Sequence, residues 1–250
     1  MELRLDGTRA IVTGAGAGIG RAVASALAEN GAHVLLVARR VHTLEMVADQ
    51  ITESTGRRPT FLACDLSAPD AAWEVGRAAR EGFDGVDILV NNAGQADPPS
   101  SVLDEEAWRH SFELNFHVKR RLAEEFRREL EASGRGRVVN VVGLIEPVAV
   151  TAAQAAIAAC RLWSKAFSRE VAAAGVTVNC VAPGRIDSEQ VRRHFPTPES
   201  REEYASQNIP SKRFGDPEEV AALIAFLCSE GASYVSGETI GVDGGLRRHA

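Results

Sequence analysis

The sequence predicts one doubly wound α/β domain, a parallel sheet of about seven strands with helices on both faces. Three observations predict it. Short apolar runs alternate with longer helical patterns along the whole chain, which calls for strands joined by helical crossovers. The run at residues 32–38 is apolar almost throughout, as a strand covered on both faces must be. No Pro/Gly/Ser-rich linker and no internal repeat divides the 250 residues, so 1–250 is read as a single domain.

The elements follow in order. Residues 9–13 supply the first strand. Residues 19–30 form a helix that Gly31 closes. Residues 32–38 are the second strand and 42–55 a polar helix. The third strand, 60–64, leads through a helix at 68–80 to the fourth, 87–91. Two helices are expected at 104–110 and 111–133. In the fifth strand, 137–142, Val138, Val139, Val141 and Val142 supply β-branched bulk. A helix over 151–173 ends near Gly175 and gives way to the sixth strand, 176–181. Asp216-Pro217-Glu218-Glu219 starts another helix: Asp caps it, Pro fits its first turn, and the acids face the positive end of its dipole. Residues 239–242 are the seventh strand. The least regular segment is 185–215, with Pro196, Pro198 and Pro210; a loop that long in a compact domain is expected to be a lid over a substrate site.

Composition narrows the function. Lys plus Arg is 28 against 34 Asp plus Glu, a net charge of −6, so the chain has no basic excess for nucleic acid or an anionic membrane. With 45% hydrophobic and 25% charged residues it is ordinary globular material. Cys64, Cys160, Cys180 and Cys228 fit no zinc spacing and are expected to be buried, reduced thiols. No His pair has metal-ligand spacing, and no metal is expected. The sequence opens without a charged-then-apolar leader and has no run of about 18 apolar residues, so a cytoplasmic protein is expected.

Thr13-Gly14-Ala15-Gly16-Ala17-Gly18-Ile19-Gly20 lies between the first strand and the first helix. Glycine suits such a turn because a side chain would hold the backbone away from a pyrophosphate, which the free N–H groups of the helix then receive. Gly14, Gly16, Ala17, Gly18, Ile19 and Gly20 are therefore candidate dinucleotide contacts. An NAD site usually has an acid at the end of the second strand. Here Ala38-Arg39-Arg40 stands there, and a guanidinium matches a 2′-phosphate, so NADP is favoured over NAD.

From this point the chain resembles the short-chain dehydrogenase/reductase family along its whole length. The matching motifs are Thr13-Gly14-x-x-x-Gly18-Ile19-Gly20, Asp65 after the third strand, Asn91-Asn92-Ala93-Gly94 after the fourth, and Asn115 in the long helix. Val178-Asn179-x-Val181-x-Pro183-Gly184 and Tyr234-x-x-Gly237 with Val242-Asp243-Gly244-Gly245 complete the set. The resemblance implies a Rossmann fold, with Asp65 and Leu66 near the adenine and Asn91, Ala93 and Gly94 on the ribose side. It also places Pro183, Gly184, Ile186 and Ser188 toward the nicotinamide amide.

The family's chemistry needs a Tyr as acid and base, a Lys four residues later, and an upstream Ser. Counting from the surrounding motifs, the Tyr position falls on Ala153, the Lys position on Ile157 and the Ser position on about Gly143. All three are inert, which makes this an atypical member. Arg161-x-x-x-Lys165 has similar spacing but lies about 12 Å too far along the helix, so Lys165 is expected on the surface. The candidates left for catalysis are Asn115, Glu146 after the fifth strand, and Tyr204 in the lid. Thr151, Gln154 and His194 are further polar neighbours, His117 is expected on another side of its helix, and Tyr234 is expected to be structural.

Two functions are consistent with this. One is an NADP(H)-dependent oxidoreductase acting on a small carbonyl or alcohol through a non-standard proton donor. The other is a catalytically silent subunit that assembles with an intact paralogue. The long helices at 104–133 and 151–173, and the C-terminal helix and strand, would by resemblance form two-fold interfaces of a homo-oligomer (dimer or tetramer) or of such a hetero-oligomer.

Overall fold

A computed structural model describes residues 3–95, 104–144 and 150–247. Seven parallel strands form one sheet in the order β3-β2-β1-β4-β5-β6-β7. They are β1 (Arg9–Thr13), β2 (His33–Ala38), β3 (Thr60–Ala63), β4 (Ile88–Asn91), β5 (Arg137–Val141), β6 (Thr177–Pro183) and β7 (Thr239–Val242). The chain runs outward from β1 to β3, then returns to β4 beside β1. That reversal opens a crevice at the carboxyl ends of β1 and β4, where α/β sheets bind ligands.

The strands alternate their burial between two cores. Ala10, Val12, Val34, Leu36, Ile88, Val90 and Val139 face α1 (Gly18–Glu29), α2 (Val41–Thr55) and the C-terminal helix. Ile11, Leu35, Val37, Leu89, Val138 and Val178 face α3 (Ala71–Gly82) and the helices that follow β4 and β5. Both faces are therefore apolar, and the strands read as continuous hydrophobic runs for that reason.

After β4 come α4 (Glu105–Phe112), a π-helical turn (Glu113–His117), α5 (Val118–Glu125) and α6 (Arg127–Ala132). The single helix expected over 111–133 is thus broken twice. The π turn falls on Asn115, and the second break lets Phe126 bury completely. Helix α7 (Ala152–Val171) is capped by Thr151, whose Oγ1 accepts from the Gln154 N–H at 3.2 Å. β6 runs two residues past its expected end because Pro183 pairs with Val242 on β7.

The segment 185–215 differs most from expectation. It contains two helices, α8 (Glu189–His194) and α9 (Pro198–Asn208). Thr197 and Ser200 form a capping box, and Pro198 occupies the first turn of α9. Proline there starts a helix instead of interrupting one, because the missing N–H has no partner to lose. Helix α10 (Pro217–Cys228) begins as expected, with a capping box between Asp216 and Glu219.

All four cysteines are free and buried. Lys165 pairs with Glu238 at 3.3 Å on the surface. Tyr234 corrects an expectation: it is fully exposed and packs no core of this chain. No helix among the described residues is long and apolar enough to cross a membrane.

Candidate cofactor and active site

β1 ends at Thr13, and its hydroxyl ties two loops together. Thr13 Oγ1 accepts from the N–H groups of Asn92 at 3.0 Å and Ala93 at 3.1 Å. Asn92 Nδ2 returns a bond to the Thr13 carbonyl at 3.0 Å. The glycine-rich turn and the loop after β4 thus form one floor at the switch point. Gly14 is required in it: its φ is +66°, and a Cβ there would meet Asn92 Nδ2 at 2.7 Å. Gly18 has φ +53°, and a Cβ would lie 3.2 Å from Ser188 Cβ across the cleft.

Helix α1 begins beside this floor with Ala17 as its cap residue. No side chain caps it and no acid lies in its first turn. Its amino-terminal N–H groups and positive dipole end, on Gly18, Ile19 and Gly20, are left for an external acceptor. At the end of β2, Arg39 and Arg40 are both exposed. Arg40 pairs with Glu189 at 3.1 Å, whereas Arg39 makes no hydrogen bond or ion pair among the described residues. Asp65 accepts from the Ser67 N–H at 3.0 Å and hydroxyl at 2.8 Å, and these bonds hold its carboxyl below the usual carboxylate range. Leu66 is buried behind it.

On the opposite wall, Gly184 follows β6, and a Cβ there would strike the Asp243 backbone at 2.8 Å. Ile186 bridges Gly215, but the bonds are made by its neighbours, the Asp187 N–H and the Arg185 carbonyl. The N–H and C=O of Ile186 itself have no partner among the described residues. One free donor beside one free acceptor suits a carboxamide. Ser188 caps α8 through its Oγ. Free helix N–H groups, an unpaired arginine and this donor–acceptor pair fit a dinucleotide along the cleft.

The side chain of Asn91 turns away from the cleft. It is fully buried and donates to the Lys119 carbonyl at 3.2 Å and to Asn140 Oδ1 at 2.9 Å, while its own Oδ1 has no partner. The loop that follows it, residues 92–94, is the part at the carboxyl end of β4. Asn115 holds that backbone: its Oδ1 accepts from the Gln95 N–H at 3.1 Å, and its Nδ2 donates to the Gln95 carbonyl at 2.9 Å.

The expected triad positions converge. A Cβ on Gly143 would lie 3.0 Å from Ile157 Cδ1, and Ala153 is buried one turn earlier on α7. Ile157 belongs to an apolar cluster with Val142, Cys160, Cys180 and Ala182. Tyr204 packs elsewhere, on α9. Its ring lies 4.8 Å from Phe195 and 5.9 Å from Phe214, Arg185 sits over it at 5.5 Å, and its hydroxyl accepts from Arg185 Nε at 3.4 Å. No ring contact or hydrogen bond joins it to Gly143, Ala153 or Ile157 among the described residues. Glu146 lies outside the described residues. Among those described, no His/Cys/Asp/Glu cluster could hold a metal.

One residue here was not singled out by sequence. Lys119, on α5, is 2% exposed and reaches the carboxyl ends of β4 and β5. Its signal was its place four residues after Asn115, on the same helix face.

A family profile described as "Enoyl-(Acyl carrier protein) reductase" matches residues 14–247. The chain belongs to the short-chain dehydrogenase/reductase family. It is 38% identical to the 3-oxoacyl-[acyl-carrier-protein] reductase FabG of Vibrio cholerae, over 98% of this chain and 99% of that protein. Among solved structures, L-sorbose reductase from Gluconobacter frateurii, complexed with NADPH and L-sorbose, superposes with a TM-score of 0.93 at 32% identity, covering 100% of both chains. A 3-oxoacyl (acyl-carrier-protein) reductase from Agrobacterium tumefaciens with NADP bound gives 0.90 at 32% identity, over 98% of this chain and 96% of that one.

Proposed function

We propose that this chain is an NADP(H)-binding oxidoreductase for a small carbonyl or alcohol, with a proton donor other than residue 153. The observation that carries it is Arg39, unpaired at the end of β2 beside the uncapped amino terminus of α1. A diphosphate meets the helix N–H groups and a 2′-phosphate meets the guanidinium. The solved relatives bound to NADPH or NADP support the same reading. NADPH at this site supplies a hydride. The protein's part is to bind and orient: Ile186 presents its backbone pair to the carboxamide, and Asn115 fixes the loop at Gln95. With Ala and Ile at 153 and 157, no phenol or amine enters the cleft from α7.

Titration calorimetry with NADPH and NADH tests the reading. NADPH should bind at least about tenfold more tightly, since a charged hydrogen bond contributes about 1.5–3 kcal/mol. Equal affinities would reject the NADP assignment, and no binding would reject the cleft itself.

A second reading is favoured by the apolar packing of Ile157 against Val142, Cys160 and Cys180. In it the chain is a non-catalytic partner of an intact paralogue, and the exposed Tyr234 and Leu162 belong to a subunit interface. Native mass spectrometry of the complex from its host distinguishes the two. A homo-oligomer, or a single chain, with its own turnover removes this second reading.

A further inference from the structure

Lys119 is a buried amine with no anion beside it among the described residues. Its Nζ donates to the carbonyls of Asn91 at 3.3 Å and Val141 at 2.5 Å, and no carboxylate pairs with it among the described residues. The titratable groups that face it are Cys160 from α7 and Cys180 from β6. Burial pushes both thiols upward, Cys180 to about 11, so neither is an anion at neutral pH. β4 and β5 offer it only carbonyls. An ammonium has three N–H donors, and two of them find acceptors among the described residues. A neutral amine satisfies both carbonyls and keeps a lone pair. Burial accordingly lowers the Lys119 pKa from its ordinary value.

Its place is as informative as its burial. A Cβ on Gly94 would lie 3.9 Å from Lys119 Nζ and 2.9 Å from Asn115 Oδ1. The amine therefore stands directly behind Gly94, in the loop assigned to the ribose side of the cofactor. Cys160 and Cys180, its neighbours, belong to the apolar cluster that contains Ile157. An amine thus reaches the surroundings of the vacant lysine position from α5 instead of α7.

We propose that Lys119 is the proton site of this cleft: it holds a proton while the reduced nicotinamide is bound and releases it to solvent when the oxidised ring is bound. The proposal rests on the reading of the cleft as an NADP(H) site. The oxidised ring carries one more positive charge than the reduced ring, and a buried amine feels that charge with little screening. Reduction of a carbonyl consumes a hydride and one proton; that proton comes from a separate donor, while the proton Lys119 releases goes to solvent and compensates the charge gained by the nicotinamide. No bond to Lys119 forms or breaks except N–H. It is a positioning residue: its Nζ meets the Asn91 and Val141 carbonyls, behind Gly94.

The chain has three lysines, Lys119, Lys165 and Lys212, so protein labelled with carbon-13 at lysine Cε gives three signals. The surface variants Lys165→Arg and Lys212→Arg assign the third to Lys119 without altering it. A pH titration is followed in the free protein, with NADPH and with NADP. Lys119 should lose its proton below the ordinary lysine value of about 10.4, and its midpoint with NADPH should lie about one pH unit or more above that with NADP. Equal midpoints overturn the proposal, as does a Lys119 that titrates at the ordinary lysine value of about 10.4. A protein whose signals respond to neither nucleotide overturns the cofactor reading, and the proposal with it.

Discussion

The guanidinium of Arg40 lies 3.1 Å from the carboxylate of Glu189, joining the end of β2 to the first turn of α8. Arg39 beside it has no such tie. A 2′-phosphate would meet Arg39 with no ion pair to break but must draw Arg40 from Glu189. Both members of the pair are about half exposed, so it is worth at most about 1 kcal/mol. Arg39→Ala should weaken NADPH binding about tenfold or more and leave NADH nearly unchanged. Glu189→Gln should strengthen NADPH binding by up to about fivefold. Calorimetry reads both, and an unchanged NADPH affinity in Arg39→Ala removes Arg39 from the site.

Tyr204 should not be the proton donor. Its ring is fixed among Phe195, Phe214 and Arg185, and its hydroxyl makes one long bond. Tyr204→Phe is expected to keep turnover within about twofold and to cost less than about 1 kcal/mol in stability. A positioned general acid is worth about 10²–10⁴-fold, so a loss of that size would return Tyr204 to the chemistry. Glu146→Gln, assayed alongside, tests the remaining carboxyl.

The sheet was legible because the inner strands β1, β2, β4, β5 and β6 are buried on both faces and the helices that cover them on one. The glycine turn was legible because Gly14 and Gly18 need positive φ. Local pattern failed where distant residues decide. Pro198 looks like an interruption until Thr197 and Ser200 are seen to cap the helix it starts. A helical lysine ordinarily keeps its head in water. Lys119 is buried because carbonyls from residues 91 and 141 meet at its tip, and no local window contains both. Tyr234 shared a motif with structural residues, yet its ring finds nothing to pack on within this chain.

Acid stability should depend on Asp87. Its carboxylate is 1% exposed and accepts from Arg9 Nε at 2.7 Å, Arg9 NH2 at 3.0 Å and the Arg9 backbone N–H at 2.9 Å, with Arg135 nearby. Burial alone would raise its pKa, but the bonds and charges from Arg9 and Arg135 reverse this and lower it. A lowered carboxylate contributes stability that is complete above its unfolded value, about 3.9, and is lost as pH falls through its folded value. Asp87→Asn should cost roughly 2–4 kcal/mol at pH 7 and flatten the decline in stability below about pH 4. Urea unfolding from pH 3 to 7 measures it. A variant that declines as steeply as the wild type would show that another carboxylate governs acid unfolding.

Alkaline stability should depend on Lys119 with the opposite dependence on charge. Its folded pKa is lowered by burial, whereas the unfolded chain restores it to about 10.4. Between those values the unfolded state binds the extra proton, so stability rises with pH across that window, by up to about 1.4 kcal/mol per pH unit. Below the folded value both states are charged, and the cost of burying the ammonium is fully present. Lys119→Met removes that cost but leaves the Asn91 and Val141 carbonyls without their donor, a loss of about 1–3 kcal/mol. The wild type should therefore gain on the Met variant as pH rises toward 10. Lys119→Arg cannot release its proton and should gain nothing over the same range. Urea unfolding of the three proteins from pH 6 to 10 gives the comparison; subtracting the Met variant cancels the groups the two proteins share. Parallel curves for wild type and Lys119→Met would mean that Lys119 keeps the same charge folded and unfolded. Its burial would then be balanced by the two carbonyls alone.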